Sequence, residues 1–113
     1  GKTDKVVYGS TRGKLQGLDL HISNPNAPIR RRGTLFWTEA GTNRLMSSTL
    51  TGATLKVLAG KSTELDKIVW PFAVTAACTS GQPCEEIFVS EYLGHLWRLN
   101  IDSGVSEQLI GYS

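Results

Sequence analysis

Two cysteines in this 113-residue chain are spaced so that they could form a disulfide or bind a metal. Cys78 and Cys84 enclose TSGQP, a segment whose Gly and Pro favour a tight connection between two strands. Antiparallel strands meeting there bring Cα atoms within the roughly 4.4–6.8 Å that a disulfide needs. No histidine cluster accompanies the pair, so the sequence predicts a disulfide rather than a zinc site. A disulfide indicates an oxidising compartment, and we expect a secreted or extracellular/luminal protein.

Two carboxylates occupy matching places in the chain. Glu39 ends the apolar segment LFWTE and Glu91 ends IFVSE, 52 residues later. A catalytic residue would occur once, so the repetition favours a structural role for both. No nucleophile elbow, phosphate loop or metal motif occurs, so the residues alone predict no catalytic residue and no cofactor.

The elements that position these residues are predicted to be strands. Helical periodicity is nearly absent, and apolar segments end at Gly, Pro, Asn or Ser. Strands are predicted near Lys5–Tyr8, Leu15–Ile22, Thr34–Thr38, Asn43–Leu50, Leu55–Leu58, Ile68–Ala77, Glu86–Ser90, Gly94–Asn100 and Glu107–Ile110. His21 and His95 stand alone and are expected to be strand residues. Residues 23–33, SNPNAPIRRRG, are predicted to form an irregular loop with a basic tip at Arg30, Arg31 and Arg32.

Matched spacings show that the chain repeats itself. The segments KVVYG, KVLAG and EQLIG begin at Lys5, Lys56 and Glu107, each 51 residues after the one before. A four-stranded unit of this length has the size of a β-propeller blade. We therefore predict an all-β fold with two four-stranded antiparallel blades, residues 14–60 and 61–113. Residues 1–13 would supply the outer strand of a preceding blade and a connection.

The segment LFWTEAGTNRLMSSTLTG resembles the YWTD repeat of six-bladed propellers of the low-density-lipoprotein-receptor type. Phe36, Trp37, Thr38 and Glu39 stand on the four signature positions. Residues 70–75, WPFAVT, resemble the innermost strand of that family's blades. Glu replaces the signature Asp, and the second copy reads FVSE. NHL-repeat and lactonase- or strictosidine-synthase-like propellers share much of the pattern, so YWTD/NHL type is the resemblance we state.

The resemblance implies a non-enzymatic extracellular module that binds other proteins, with further segments or copies completing the propeller. It also implies that Glu39 and Glu91 tie each blade to its neighbour through backbone hydrogen bonds. Trp37, Trp70 and Trp97 are expected to pack between blades, with the channel mouth as the alternative for Trp70. An enzyme with an axial metal and a sugar-binding lectin remain the alternative functions. For the enzyme, the resemblance to lactonase-like propellers implies calcium as a possible cofactor, with Asp19, Glu39 and Asn43 as its candidate ligands.

Charge and hydropathy bear on which partners the chain could bind. The net charge of +2 is too close to neutral to indicate a nucleic-acid partner. The sequence contains no run of roughly 18 apolar residues, so we predict no membrane span. In a propeller, two classes of connection lie on one face. Here they would bring an aromatic ring and four cations together as a protein-docking face, namely Tyr92 with Arg12, Lys14, Lys61 and Lys67.

Overall fold

The computed structural model describes residues 14–60, 68, 70–92 and 94–111. In this part of the chain the protein is all-β apart from one short helix. The elements are β1 (Lys14–Ile22), α1 (Ile29–Arg32), β2 (Gly33–Ala40), β3 (Arg44–Thr49), β4 (Lys56–Gly60), β5 (Pro71–Thr75), β6 (Glu86–Glu91), β7 (Leu96–Asn100) and β8 (Ser106–Ile110). The predicted strand Lys5–Tyr8 lies outside the described residues.

The eight strands form two antiparallel meanders. The first sheet has the order β1-β2-β3-β4 and the second has the order β5-β6-β7-β8. Glycine makes the outer turn of each sheet, with φ of 76° at Gly52 and 74° at Gly104. Each of these glycines donates its N–H to a carbonyl before the turn, that of Thr49 or Asn100. Both turns require a left-handed backbone conformation, and glycine adopts that conformation without strain.

The predicted irregular loop contains a short helix, which the sequence analysis missed. Ile29–Arg32 form a helix that follows Pro28, whose fixed φ suits the start of a helix. The backbone N–H groups of Ser23 and Asn24 both donate to the Arg32 carbonyl at 3.0 Å, which closes the loop on itself. Positive charge at the carboxyl end of a helix is stabilising, and Arg30, Arg31 and Arg32 place three cations in the last turn. Among the described residues, no helix has the length and apolar character to cross a bilayer.

The hydrophobic core lies between the two sheets. Alternation along each strand sends every second side chain to this interface. Phe36 and Leu45 from the first sheet pack in one buried cluster with Val89 and Trp97 of the second. The backbones of β1 and β5, the inner strand of each sheet, lie close together at Gly17: a Cβ added there would be 3.0 Å from the Ala73 Cα. A side chain at this point of β1 would separate the sheets.

Strand register shows that the two sheets share one layout. Trp37 pairs with Met46 in the first sheet, and Val89 pairs with Trp97 at the corresponding place in the second. On the inner strands, Leu18 pairs with Trp37 as Val74 pairs with Val89. Positions in the two sheets can therefore be matched through their cross-strand pairs, although the identity of the residues at matched positions is low.

The outward faces of the two sheets differ in chemistry. On the first sheet, Leu18 and Leu20 point away from the second sheet and are 65% and 48% exposed. On the second sheet, Arg98 pairs with Glu86 at 3.3 Å and with Glu107 at 2.6 Å. The exposed part of the first face, on β1, is thus apolar, and the other face carries an exposed charge network.

Candidate functional site

A cleft of about 240 Å³ opens between the two sheets. It lies where the inner strands begin and the middle hairpins turn, since Lys14 pairs with Ala40 and Pro71 pairs with Glu91. Its lining residues are Gln16, Ala40, Asn43, Trp70, Pro71 and Tyr92. The first sheet contributes the amides and the second contributes the rings, so the cleft exists only where both sheets meet.

Three aromatic side chains form an exposed cluster at the second-sheet side of the cleft. Trp70, Phe72 and Tyr92 are 41%, 45% and 73% exposed. The Tyr92 ring lies 6.4 Å from the Trp70 ring and 6.3 Å from the Phe72 ring, measured between centroids. The Tyr92 N–H donates to the Trp70 carbonyl at 3.0 Å, which fixes the hairpin against the inner strand. We call these three residues the aromatic cluster.

A buried carboxylate supports this cluster. Glu91 accepts a hydrogen bond from the Trp70 backbone N–H at 3.3 Å and from the His95 ring Nδ1 at 3.1 Å. The Trp97 indole N–H also donates to it. Glu91 therefore joins the start of β5, the β6–β7 hairpin and β7. The position of Trp70 in the cleft wall depends on this carboxylate.

Glu39 has a corresponding set of donors in the first sheet. Arg44 donates from Nε at 3.0 Å and from Nη2 at 2.7 Å, while the Thr42 hydroxyl donates at 2.8 Å. The Trp37 indole N–H donates at 2.9 Å. Burial alone would raise the pKa of the Glu39 carboxyl. The hydrogen bonds, led by that of Trp37, outweigh burial and hold the pKa below its ordinary value of 4.5.

The expected backbone tie between sheets comes from other residues than Glu39. All the donors given above for Glu39 belong to its own sheet. Its neighbour Thr38 makes the connection: the hydroxyl donates to the Phe72 carbonyl at 2.7 Å and accepts from the Gly17 N–H at 3.0 Å. The reason is strand alternation, which turns Thr38 toward the second sheet and Glu39 away from it.

Asp19 makes the second tie. Its carboxylate accepts from the Ala76 N–H at 2.6 Å and from the Thr75 hydroxyl at 3.2 Å, both across the interface. Burial would raise the pKa of Asp19, but these bonds and that from the Leu20 N–H outweigh it and lower the pKa. The calcium hypothesis placed Asp19 and Glu39 on an ion. The structure gives both carboxylates protein donors, and calcium binding stays an untested hypothesis.

Cys78 and Cys84 form a disulfide with a Cα–Cα distance of 5.2 Å, the pairing predicted from their spacing. The enclosed loop contacts the first sheet: the Gly81 N–H donates to the Ile22 carbonyl at 2.9 Å, and the His21 Nε2 lies 2.5 Å from the Gln82 carbonyl oxygen. In the described part of the chain, His21, Cys78 and Cys84 form the one group of potential metal-ligating side chains, with ligand atoms within 4.8 Å of one another.

The predicted tryptophan positions agree only in part. Trp97 packs in the core between the sheets, as expected. Trp37 is buried but hydrogen-bonds within its own sheet. Trp70 lies at the surface and lines the cleft rather than packing in the core, because it precedes the paired part of β5. Its placement at a channel mouth stays a prediction.

The predicted docking face is described only in part. Arg12, Lys61 and Lys67 lie outside the described residues. Lys14 begins β1 beside Ala40, and Tyr92 is the most exposed member of the aromatic cluster. The docking face thus stays a prediction. The sequence analysis missed Gln16 and Phe72 at this end of the molecule: Gln16 stands in no motif, and Phe72 stands in WPFAVT, which was interpreted only as an inner strand.

No protein-family model and no curated protein sequence matches the chain.

Proposed function

We propose that the chain is a non-enzymatic interaction module and that its ligand is another protein, which inserts an apolar side chain into the cleft. The observation that carries this proposal is the aromatic cluster, in which the exposed Tyr92 ring contacts the exposed Trp70 and Phe72 rings beside an open cavity. Exposed Trp and Tyr residues in contact are the composition of binding hot spots in protein interfaces. Burying these rings would also remove apolar area from water, which drives association.

The chemistry of the cleft favours a protein over a sugar. A sugar ring needs several hydrogen-bonding groups around an aromatic face. The cleft has the amides of Gln16 and Asn43 and the polar atoms of the Trp70 and Tyr92 rings, but its exposed lining is mainly apolar. A volume of about 240 Å³ accommodates one or two apolar side chains rather than an extended substrate.

The proposal includes the propeller architecture and an extracellular setting. The shared register of the two meanders and the burial of one sheet's face against the next support propeller blades of the YWTD/NHL type. A further blade, from another segment or another copy, would cover the outward face of the first sheet, where Leu18 and Leu20 are exposed. The disulfide supports an oxidising compartment.

Selection from a displayed random-peptide library tests the ligand class. We expect the enriched peptides to carry aromatic or large apolar anchors and to lose at least about tenfold in affinity against Tyr92→Ala or Trp70→Ala. The matched control is Val105→Ala, which trims an equally exposed apolar residue in the β7–β8 turn. A glycan array run in parallel tests the sugar alternative. Tyr92-dependent glycan binding, or peptides that bind Tyr92→Ala as well as wild type, would overturn the proposal.

A further inference from the structure

Folding brings together three metal-ligating groups that are far apart in sequence. His21 is on β1, and the two cysteines belong to the connection between β5 and β6, 57 and 63 residues later. A ring nitrogen of His21 and the sulfurs of Cys78 and Cys84 lie within 4.8 Å of one another. Nitrogen and sulfur donors at this separation suit a thiophilic ion such as zinc, which binds sulfur at about 2.3 Å and imidazole nitrogen at about 2.0 Å.

The hydrogen bond of His21 prepares the ring for this role. A carbonyl oxygen can only accept, so the bond between His21 Nε2 and the Gln82 carbonyl places the ring proton on Nε2. The lone pair then resides on Nδ1. Metal-binding histidines generally donate their second N–H to a carbonyl or carboxylate, which fixes the ring and strengthens the ligand. His21 is buried, so this orientation is held by packing as well.

We infer that reduction of the Cys78–Cys84 disulfide creates a zinc-binding site completed by His21. In the reduction step two thiol molecules supply two electrons and two protons, the S–S bond breaks, and the products are two cysteine thiols and one external disulfide. In the binding step the cysteines lose two protons and zinc takes two thiolates and one imidazole. Three protein ligands leave the fourth tetrahedral position to water.

The surroundings allow both steps to occur in the folded protein. Thr79, Ser80 and Gly81 of the loop are exposed, which gives a reductant access to the bond. The loop encloses few residues, so opening it releases little chain entropy. The bond from Gly81 to Ile22 and that from His21 to Gln82 still hold the loop beside β1 after the cysteines separate.

Metal titration of oxidised and reduced protein tests the inference. The protein is reduced with a phosphine, freed of reductant without oxygen, and titrated with zinc against a chromogenic chelator. We expect one equivalent to bind the reduced protein and none to bind the oxidised protein. Cobalt in place of zinc should give a thiolate charge-transfer band. His21→Gln should weaken zinc binding by at least about tenfold, as changes around zinc ligands commonly do.

The matched control is His95→Gln, which removes the histidine at the opposite end of the second sheet and should leave zinc affinity unchanged. If His21→Gln fails to fold, the ring is followed in wild type instead: zinc should shift the His21 side-chain resonances and protect both thiols from alkylation. Reduced protein that binds no more zinc than Cys78→Ser/Cys84→Ser would overturn the inference. Equal binding by the two histidine variants, or zinc binding without change at the His21 ring, would also overturn it.

Discussion

A buried carboxylate is tolerated only where donors surround it, and Glu39 and Glu91 meet that need with the same kinds of group. Each accepts from a tryptophan indole and from a cationic or ring nitrogen shortly after it in sequence, Arg44 for Glu39 and His95 for Glu91. The sequence identified both carboxylates because they recur. It could not identify their partners, since indole and guanidinium groups are placed by the pairing of strands.

We expect Glu39→Gln to lower the free energy of unfolding by about 1–3 kcal/mol at pH 7. Glutamine keeps an acceptor but removes the charge facing Arg44, whose side chain is partly exposed and so partly solvated without its partner. Urea unfolding followed by circular dichroism gives the value. Glu85→Gln, at an exposed site, is the control and should change stability by less than about 0.5 kcal/mol. Equal stability of the two variants would contradict the role of Glu39.

The pH dependence of this effect has a definite sign. The folded-state pKa of Glu39 is lowered, so its contribution is complete above the ordinary value of 4.5 and is lost as pH falls through the folded-state pKa. Asp19 adds a contribution of the same sign. We therefore expect wild type to lose its advantage over Glu39→Gln when unfolding is measured at successively lower pH below about 5. A difference that grows toward acid would contradict this assignment.

At the scale of the strand, the two sheets use one layout with different residues. The cross-strand pair beside the carboxylate contains one tryptophan in each sheet: Trp37 opposite Met46 on β2 and β3, and Trp97 opposite Val89 on β7 and β6. Either strand can therefore supply the indole that donates to the glutamate. Both pairs combine one indole with one aliphatic side chain, so register is kept at this position although the residues differ.

The exchange predicts coupling between Trp37 and Met46. Trp37→Met alone should cost about 2–4 kcal/mol, since it leaves a cavity and removes a donor to Glu39. Met46→Trp alone should cost about 1–3 kcal/mol through overpacking. The double variant moves the indole to β3, as in the second sheet, and should recover at least about 1 kcal/mol relative to the sum. Strict additivity in urea unfolding would show that the strands do not share the position.

The tie between sheets gives a second test at this scale. Thr38→Val should cost about 1–3 kcal/mol, because the buried hydroxyl that serves the Phe72 carbonyl and the Gly17 N–H is replaced by a methyl of similar size. Thr38→Ser keeps the hydroxyl and should lose less than the valine variant. The comparison separates hydrogen bonding from packing, and a more stable valine variant would contradict the tie.

The positions of the strands could be predicted well because Gly, Pro and Asn mark their ends. The predicted strands Leu15–Ile22 and Glu107–Ile110 each begin one residue inside the observed ones. The helix Ile29–Arg32 was missed, since a single turn after Pro28 is too short to show helical periodicity. The cleft was missed for another reason: it combines residues from both repeats, and neither repeat contains it. The His21 contact with the disulfide loop has the same origin.

At the scale of the whole molecule, β1 leaves apolar side chains exposed on the outward face of the first sheet, whereas Trp37 and Met46 on the same face are buried. Leu18 and Leu20 lie on the face of the first sheet that corresponds to the Val74 and Val89 face of the second, which the first sheet buries. A further blade presenting residues like those of the first sheet's inner side, with Phe36 at the centre, is the occupant that this face matches. Apolar area of this kind promotes association when left bare.

We therefore expect the isolated 12.3 kDa chain to associate, with native masses above that of one chain. Leu18→Lys with Leu20→Lys should shift the distribution toward the monomer, because charged side chains cannot be buried without partners. Val105→Lys, which changes an exposed apolar residue elsewhere, should not. Native mass spectrometry and sedimentation velocity give the masses. A stable, monodisperse wild-type monomer would contradict both the association and the propeller architecture.

The three tryptophans also serve as intrinsic fluorescence probes, because they differ in exposure to solvent. Trp37 is sealed beside a carboxylate, Trp97 is sealed between the sheets, and Trp70 stands in the cleft wall open to solvent. A collisional quencher such as acrylamide should therefore extinguish the emission of Trp70 while sparing the other two. Occupation of the cleft would shield that component, whereas separation of the sheets would expose Trp97. Trp70→Phe removes the first signal and leaves the second, so binding and opening can be followed separately without any added dye.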